Sequence, residues 1–223
     1  MLQVLLAILM GLTAASVAAQ DPVIVSPKNN KVEIDNDWVR VLRVRQGPHE
    51  KTPMHEHPAS VVVYLTNCDQ KRTGADGRVQ EVKQKAGDVA YIDAVKHATE
   101  NISGKPLEEV IVELKPDAPK NPSPPVTLDP VKLDPQHVTV AFENERVRVL
   151  HTVLAPHIKD PMHEHPHYVV VYLTELHTTM LLGDGRAIDN VRRPGEIAFR
   201  DTMKHSTENI GDRDAAEIQV ELK

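Results

Sequence analysis

A constant offset of 108 residues carries one half of this chain onto the other, taking Asn36 to Asn144, Arg40 to Arg148, Tyr64 to Tyr172, Gly87 to Gly195 and Asn101 to Asn209. Over Val32–Lys115 and Val140–Lys223, about 38 of 84 positions are identical. Self-similarity at a fixed period decides architecture before any local pattern does. Units of this length are too long for a stacked solenoid and long enough to bury a core of their own. Two like domains are therefore expected, 23–115 and 136–223.

What lies outside the two copies has its own character. Apart from Gln3, residues 1–19 are apolar or small, and the chain turns polar at Gln20-Asp21-Pro22, with Val17 and Ala19 just before the break. This is the pattern of a secretory signal peptide. It predicts a periplasmic or secreted protein with no stable membrane association after cleavage. The leader has no Lys or Arg, so an uncleaved anchor is the alternative reading. Between the copies, 116–135 holds Pro116, Pro119, Pro122, Pro124, Pro125, Pro130 and Pro135 among Asp, Lys, Asn and Ser. Such a stretch reads as an extended linker that cannot continue a sheet ladder. Cys68 is the only cysteine and its counterpart is Leu176, so no internal disulfide forms. Net charge is −6, aromatics are 3%, and no Lys/Arg stripe appears, which argues against nucleic acid and for a small molecule or metal as partner.

Inside each copy the apolar runs are short and rich in Val, Ile and Tyr: Val39 to Val44, Val61 to Leu65, Asp88 to Ile92 and Val110 to Leu114, with partners in the second copy. Runs of that length and composition read as strands. Asp76-Gly77-Arg78 and Asp184-Gly185-Arg186 are the Asp-Gly type of hairpin signal. No helix is expected outside the leader. The fold class is all-β, with each domain an antiparallel sandwich or small barrel.

The chemistry concentrates on histidine. Pro53-Met54-His55-Glu56-His57-Pro58 is followed by His97, and Pro161-Met162-His163-Glu164-His165-Pro166 by His205. Alternate residues of a strand share a face, so His55 and His57 aim at one point while Glu56 faces away, and His163 and His165 do the same. His97 and His205 then supply a third imidazole from another strand. Three neutral imidazoles hold a divalent transition metal (Fe, Zn, Mn, Ni or Cu) and leave positions open, which predicts one ion per domain. A lone histidine is more often a surface residue, but six of the chain's 12 histidines fall on these recurring positions. His49 and His157 also recur and read as loop residues. Glu100 and Glu208 follow the third histidine at odd spacing and face away from the ion.

These motifs resemble the two motifs of the cupin superfamily, and the whole chain resembles a bicupin. The first cupin motif, His-x-His, is matched by His55-Glu56-His57 and His163-Glu164-His165; the second by Gly87, His97 and Asn101, and by Gly195, His205 and Asn209. The resemblance implies two tandem jelly-roll barrels. The glutamate that normally follows His-x-His is replaced by Val61 or Val62, and by Val169 or Val170. The glycine expected before the first histidine is His49 or His157. A fourth protein ligand is thus expected to be missing. Certain three-histidine cupins are iron dioxygenases, so the resemblance implies a metal-dependent enzyme of dioxygenase type acting on a small oxygen-bearing substrate. The alternative is a non-catalytic periplasmic protein that binds metal or a small ligand. A structural duplicate with one decayed site is a third reading, against which both triads being intact argues.

The copies differ near the motifs. Ala59, Ser60, Arg43 and Ile92 of the first copy become His167, Tyr168, His151 and Arg200 in the second. Tyr172, His167 and Arg200 are therefore the candidate catalytic residues, with core packing the competing role for Tyr64 and Tyr172. Oligomeric state is open, a homo-oligomer being possible, since a bicupin pairs two barrels within one chain.

Overall fold

The computed structural model describes residues 20–119 and 125–223. The expected leader, 1–19, and the middle of the linker, 120–124, lie outside the described residues. The first domain runs α1 (Pro22–Val25), β1 (Asn30–Asp35), β2 (Val39–Gln46), β3 (Lys51–His57), β4 (Ser60–Tyr64), β5 (Cys68–Gly74), β6 (Val79–Gln84), β7 (Val89–Ile92), β8 (Val95–Asn101) and β9 (Leu107–Leu114). The second repeats it as α2 (Pro130–Leu133), β10 (Val138–Glu143), β11 (Val147–Leu154), β12 (His163–His165), β13 (Tyr168–Tyr172), β14 (Leu176–Leu182), β15 (Ala187–Arg192), β16 (Ile197–Arg200), β17 (Met203–Asn209) and β18 (Ala215–Leu222). The expected strands are present: β2 and β9 are longer than their apolar runs, β4 is shifted by one residue and β7 is one residue shorter.

Two antiparallel sheets face each other in each domain. Their orders are β1-β2-β9-β4-β7 with β3-β8-β5-β6, and β10-β11-β18-β13-β16 with β12-β17-β14-β15. This is the all-β jelly-roll barrel that the sequence implied, present twice. The tight turns between β5 and β6 and between β14 and β15 place Gly77 and Gly185 at φ 79° and 86°, where a side chain is disfavoured.

α1 and α2 are single helical turns, which the strand-only reading did not expect. Asp21 and Asp129 cap them, each accepting a bond from the backbone N–H two residues on, and Pro22 and Pro130 take the first helical position. An Asp cap with Pro at the first position is a helix start. The last part of the proline-rich stretch is therefore not extended: 130–133 closes a turn and Pro130 is buried against the second barrel.

β4 shows why its valine run does not alternate with polar residues. Val62 and Tyr64 point into the first barrel, while Val61 and Val63 join a core that lies between the domains. That shared core is nearly all valine: Val39, Val41, Val110 and Val112 meet Val147, Val149, Val169, Val171 and Val220, all buried. Strands buried on both faces read as continuous apolar runs. At about 1.5–3 kcal/mol per buried valine or leucine, this core holds the barrels together strongly. Rings close its edges, Trp38 stacking on His167 at 4.6 Å and Tyr91 on Phe142 at 5.0 Å. Among the described residues no helix is long and apolar enough to cross a membrane.

Candidate metal centres

β3 and β8 lie side by side with His55 directly opposite His97, and β12 and β17 place His163 opposite His205. The register of β3 slips between Thr52 and His55, where Pro53 has no N–H to give the ladder. The bulge turns the Pro53 carbonyl toward His55 Nδ1, 2.7 Å away, and the Pro161 carbonyl sits 2.8 Å from His163 Nδ1. In each triad the candidate ligand atoms lie within 4.8 Å of one another, and all six rings are buried. The expected sets, His55, His57 and His97 and then His163, His165 and His205, are the ones the fold brings together.

The second histidine of each motif is held by a residue that sequence reasoning missed. His57 Nδ1 is 2.7 Å from Glu113 Oε1, and His165 Nδ1 is 2.7 Å from Glu221 Oε1. Both carboxylates are buried and come from the last strand of their barrel. A carboxylate thus stands behind one ligand of each triad instead of among the ligands. Such a partner fixes the imidazole tautomer with Nδ1 protonated and leaves Nε2 as a ligand atom. Arg40 clamps Glu113 and also pairs with Asp21, the cap of α1. In the second barrel Arg148 bonds Asp129 at 3.0 Å but stands 3.9 Å from Glu221. The sequence signal was a lone glutamate inside each closing apolar run, Val112-Glu113-Leu114 and Val220-Glu221-Leu222, repeated at the same offset.

The donor set fits a divalent transition metal. Burial, and then the neighbouring imidazoles, push His97 down to about 3 and His205 to about 2. His163 falls to about 4, mainly through burial. These rings are therefore neutral near pH 7, the form that ligates. His165 Nε2 is buried without a hydrogen-bond partner, an arrangement that costs free energy unless a cation takes the lone pair.

The other motif residues are structural. Asn101 Nδ2 bonds the carbonyls of Gly47 and Lys105, and Asn209 Nδ2 those of Leu154 and Arg213, so each asparagine ties down loops beside the third histidine. His49 and His157 adopt left-handed backbone, φ 57° and 62°, which explains why glycine is the expected residue there. Glu100 and Glu208 pair outward with Lys51 and Lys159.

Each triad opens on a pocket inside its barrel. In the first it is lined by Val62, Gln70, Arg72, Ile92, Thr99 and Glu109, within about 440 Å³ of open space. In the second, about 570 Å³ is lined by Asp160, Tyr168, Val170, Tyr172, Arg200 and Glu217, among others. Of the candidate catalytic residues, Tyr172 and Arg200 are thus at the site, with Arg200 donating to the Tyr172 hydroxyl at 3.3 Å. His167 is not: its ring is sandwiched between Trp38 and Phe199 at the seam between barrels. His151 likewise lines an inter-barrel cleft. His167 lies in the bend between β12 and β13 and His151 on β11, and both are turned toward the other barrel. Glu109, Glu217, Arg72 and Asp160 are pocket residues that the sequence did not single out.

No family model and no curated protein matches this chain. Solved structures do. AerE from Microcystis aeruginosa is 13% identical at a TM-score of 0.62, covering 87% of this chain and 97% of that one. An oxalate decarboxylase of Bacillus subtilis is 13% identical at 0.57, covering 82% and 68%. The Lactobacillus farciminis oxalate decarboxylase in complex with formate is 12% identical at 0.58, covering 87% and 84%. With both barrels aligned and a three-histidine cluster in each, the chain is a bicupin in fold, and each barrel carries a histidine triad of a kind that can hold a metal ion.

Proposed function

We propose that the chain is an exported metal-dependent enzyme of dioxygenase type, whose substrate is a small oxygen-bearing molecule that ligates the metal. The observation that carries this reading is the ligand set: three buried imidazoles, with a carboxylate placed behind one of them. A bound ion would keep its full positive charge and open positions toward the pocket, supplying Lewis acidity and, if redox-active, electrons for dioxygen. Glu113 and Glu221 hold their histidines in one tautomer. Val170, Leu176 and Met180 exclude water from the second pocket, while Tyr168, Tyr172 and Arg200 offer hydrogen bonds that orient a ligand. The Bacillus subtilis oxalate decarboxylase has Mn(II) centres and the Lactobacillus farciminis enzyme was solved with formate, which supports a divalent ion and a small oxygen-bearing ligand as the class.

The test is oxygen uptake by the mature Fe(II)-loaded protein with small diketones, catechols and hydroxy acids. Uptake with one class, absent from the His163→Ala/His165→Ala and His55→Ala/His57→Ala variants combined, is the expected result. Tight ligand binding with no uptake would replace the enzyme with a non-catalytic binding protein. A periplasmic or secreted location is checked by fractionation, with an N-terminus at Gln20 expected for the exported form.

A further inference from the structure

Both barrels bring a guanidinium to the triad pocket, but from different strands. In the first, Arg72 on β5 lines the pocket opposite Ile92 on β7. In the second, the position of Arg72 is Met180 on β14, and the position of Ile92 is Arg200 on β16. The pair Arg/Ile has become Met/Arg, one charge kept and its strand exchanged. β5 belongs to the four-stranded sheet and β16 to the five-stranded one, so the guanidinium has crossed to the facing wall.

What has not changed is what the arginine meets. Arg72 donates to the Tyr64 hydroxyl at 3.1 Å and Arg200 to the Tyr172 hydroxyl at 3.3 Å, although those tyrosines lie on the same strand of each barrel. Glu109 and Glu217 face the two pockets from equivalent positions. A side chain kept for the packing of its own strand would not be replaced from the opposite sheet. Each arginine feels its pocket's glutamate electrostatically, but not through a direct contact. Among the described residues, Arg72 bonds Gln70 and Tyr64, and Arg200 bonds Tyr172, with no ion pair joining either to its pocket's glutamate. Burial pushes both glutamates up, toward the neutral form.

We propose that Arg72 and Arg200 are the anion-recognition residues of the two barrels, each taking the carboxylate of a small ligand whose other oxygen reaches the triad metal. The planar fork of a guanidinium matches a carboxylate, and a buried charged donor strengthens the contact. The anionic end lies against the four-stranded sheet in the first barrel and the five-stranded sheet in the second, so the two pockets hold a chelating carboxylate in opposite senses. This deepens the proposed function and rests on its metal reading.

The experiment loads the mature chain with Co(II) in the His163→Ala/His165→Ala background, so that only the first barrel is occupied, and titrates glycolate against the cobalt visible spectrum. Ethylene glycol is the neutral control. Glycolate is expected to bind and ethylene glycol to bind at least tenfold more weakly; Arg72→Met should weaken glycolate about tenfold or more at unchanged cobalt content. The transplant Arg72→Met/Ile92→Arg, which rebuilds the second barrel's layout, should regain most of that factor. In a Glu109→Gln background, Arg72→Met should cost the same factor, separating anion recognition from neutralisation of Glu109. Equal binding of ethylene glycol, an unaffected Arg72→Met, or a loss abolished by Glu109→Gln would each overturn the proposal and leave the metal reading standing. Failure of the parent to bind Co(II) would overturn both.

Discussion

The two barrels share a backbone and a ligand set but distribute polarity in opposite ways. In the first, a continuous chain runs from Thr52 through Thr99, Gln46 and Gln70 to Arg72, each link a buried or part-buried hydrogen bond of 2.6–2.8 Å. In the second, the same positions are Asp160, Thr207, Leu154, Thr178 and Met180, and that chain is gone. Asp160 accepts from the Thr207 N–H at 2.6 Å and lies 3.6 Å from His163. A satisfied polar network fixes pocket walls. The second pocket instead sets Asp160, Tyr168, Arg200 and Glu217 around an apolar patch of Leu154, Val170 and Met180. Duplication has thus preserved the histidine triads and changed the walls around them.

The strongest test of this comparison removes one triad at a time. His55→Ala/His57→Ala and His163→Ala/His165→Ala should each lower metal content from about two ions per chain to about one, measured by elemental analysis of protein purified without a tag. A variant that loses all its metal would show that one barrel binds for both, and the equivalence of the triads would be broken.

Asp160 against Thr52 gives the next largest effect. Burial raises the Asp160 carboxyl from 3.8 to about 7. Between those values the folded metal-free protein keeps a proton that the unfolded chain has released. That stabilisation is complete below pH 4 and is lost as pH rises through 7. Asp160→Asn keeps an acceptor for the Thr207 N–H but does not ionise, so it should gain about 2–4 kcal/mol over the parent at pH 8 and little at pH 4. Denaturant unfolding of the metal-free proteins at both pH values reads this directly. Parallel stabilities at the two values would remove Asp160 as the distinguishing acid of the second barrel.

The carboxylates behind the ligands should rank the barrels on a finer scale. Glu113→Gln and Glu221→Gln each weaken metal binding at their own site by about 10–100-fold, because the histidine loses the negative charge that strengthens its Nδ1–H bond and raises its basicity. Arg40 contacts Glu113 closely whereas Arg148 stands off from Glu221. Arg40→Met should therefore weaken the first site by several-fold and Arg148→Met the second by less. Competition with a chromogenic chelator measures both, and equal losses would show that the clamp does not transmit to the metal.

Much of this was legible in the chain. Two barrels, six clustered histidines and the Val-rich strands follow from a fixed offset, alternate histidines and turn signals, all of which are local. The residues that were missed act across the barrel. Glu113 and Glu221 read as interruptions of an apolar run because their partners, His57 and His165, lie 56 positions away. Arg72 and Asp160 have no identical counterpart in the other copy, so the repeat gave them no weight. His167 was overrated for the opposite reason: a histidine two residues after the motif looks functional until the bend that carries it is seen to face the other barrel. The Asp-Pro starts of α1 and α2 were present at the same offset but were hidden in proline-rich flanks.

His49 and His157 close the comparison on its smallest effect. Both sit in left-handed backbone, where a side chain costs about 1 kcal/mol that glycine avoids. His49 is exposed, and its ring contributes little packing to offset that strain. His157 is exposed as well, and its backbone N–H bonds the Asn209 carbonyl at 2.8 Å, a bond that glycine keeps. His49→Gly and His157→Gly should therefore each stabilise the protein by about 0.5 kcal/mol, after the extra entropy glycine gives the unfolded chain. Equal gains from two chemically identical substitutions at equivalent positions, read from denaturant midpoints at constant slope, would show that the two loops carry the same backbone strain. A larger gain at His157 than at His49 would mean that the second loop is the more strained of the two, and that its histidine is kept for something other than packing.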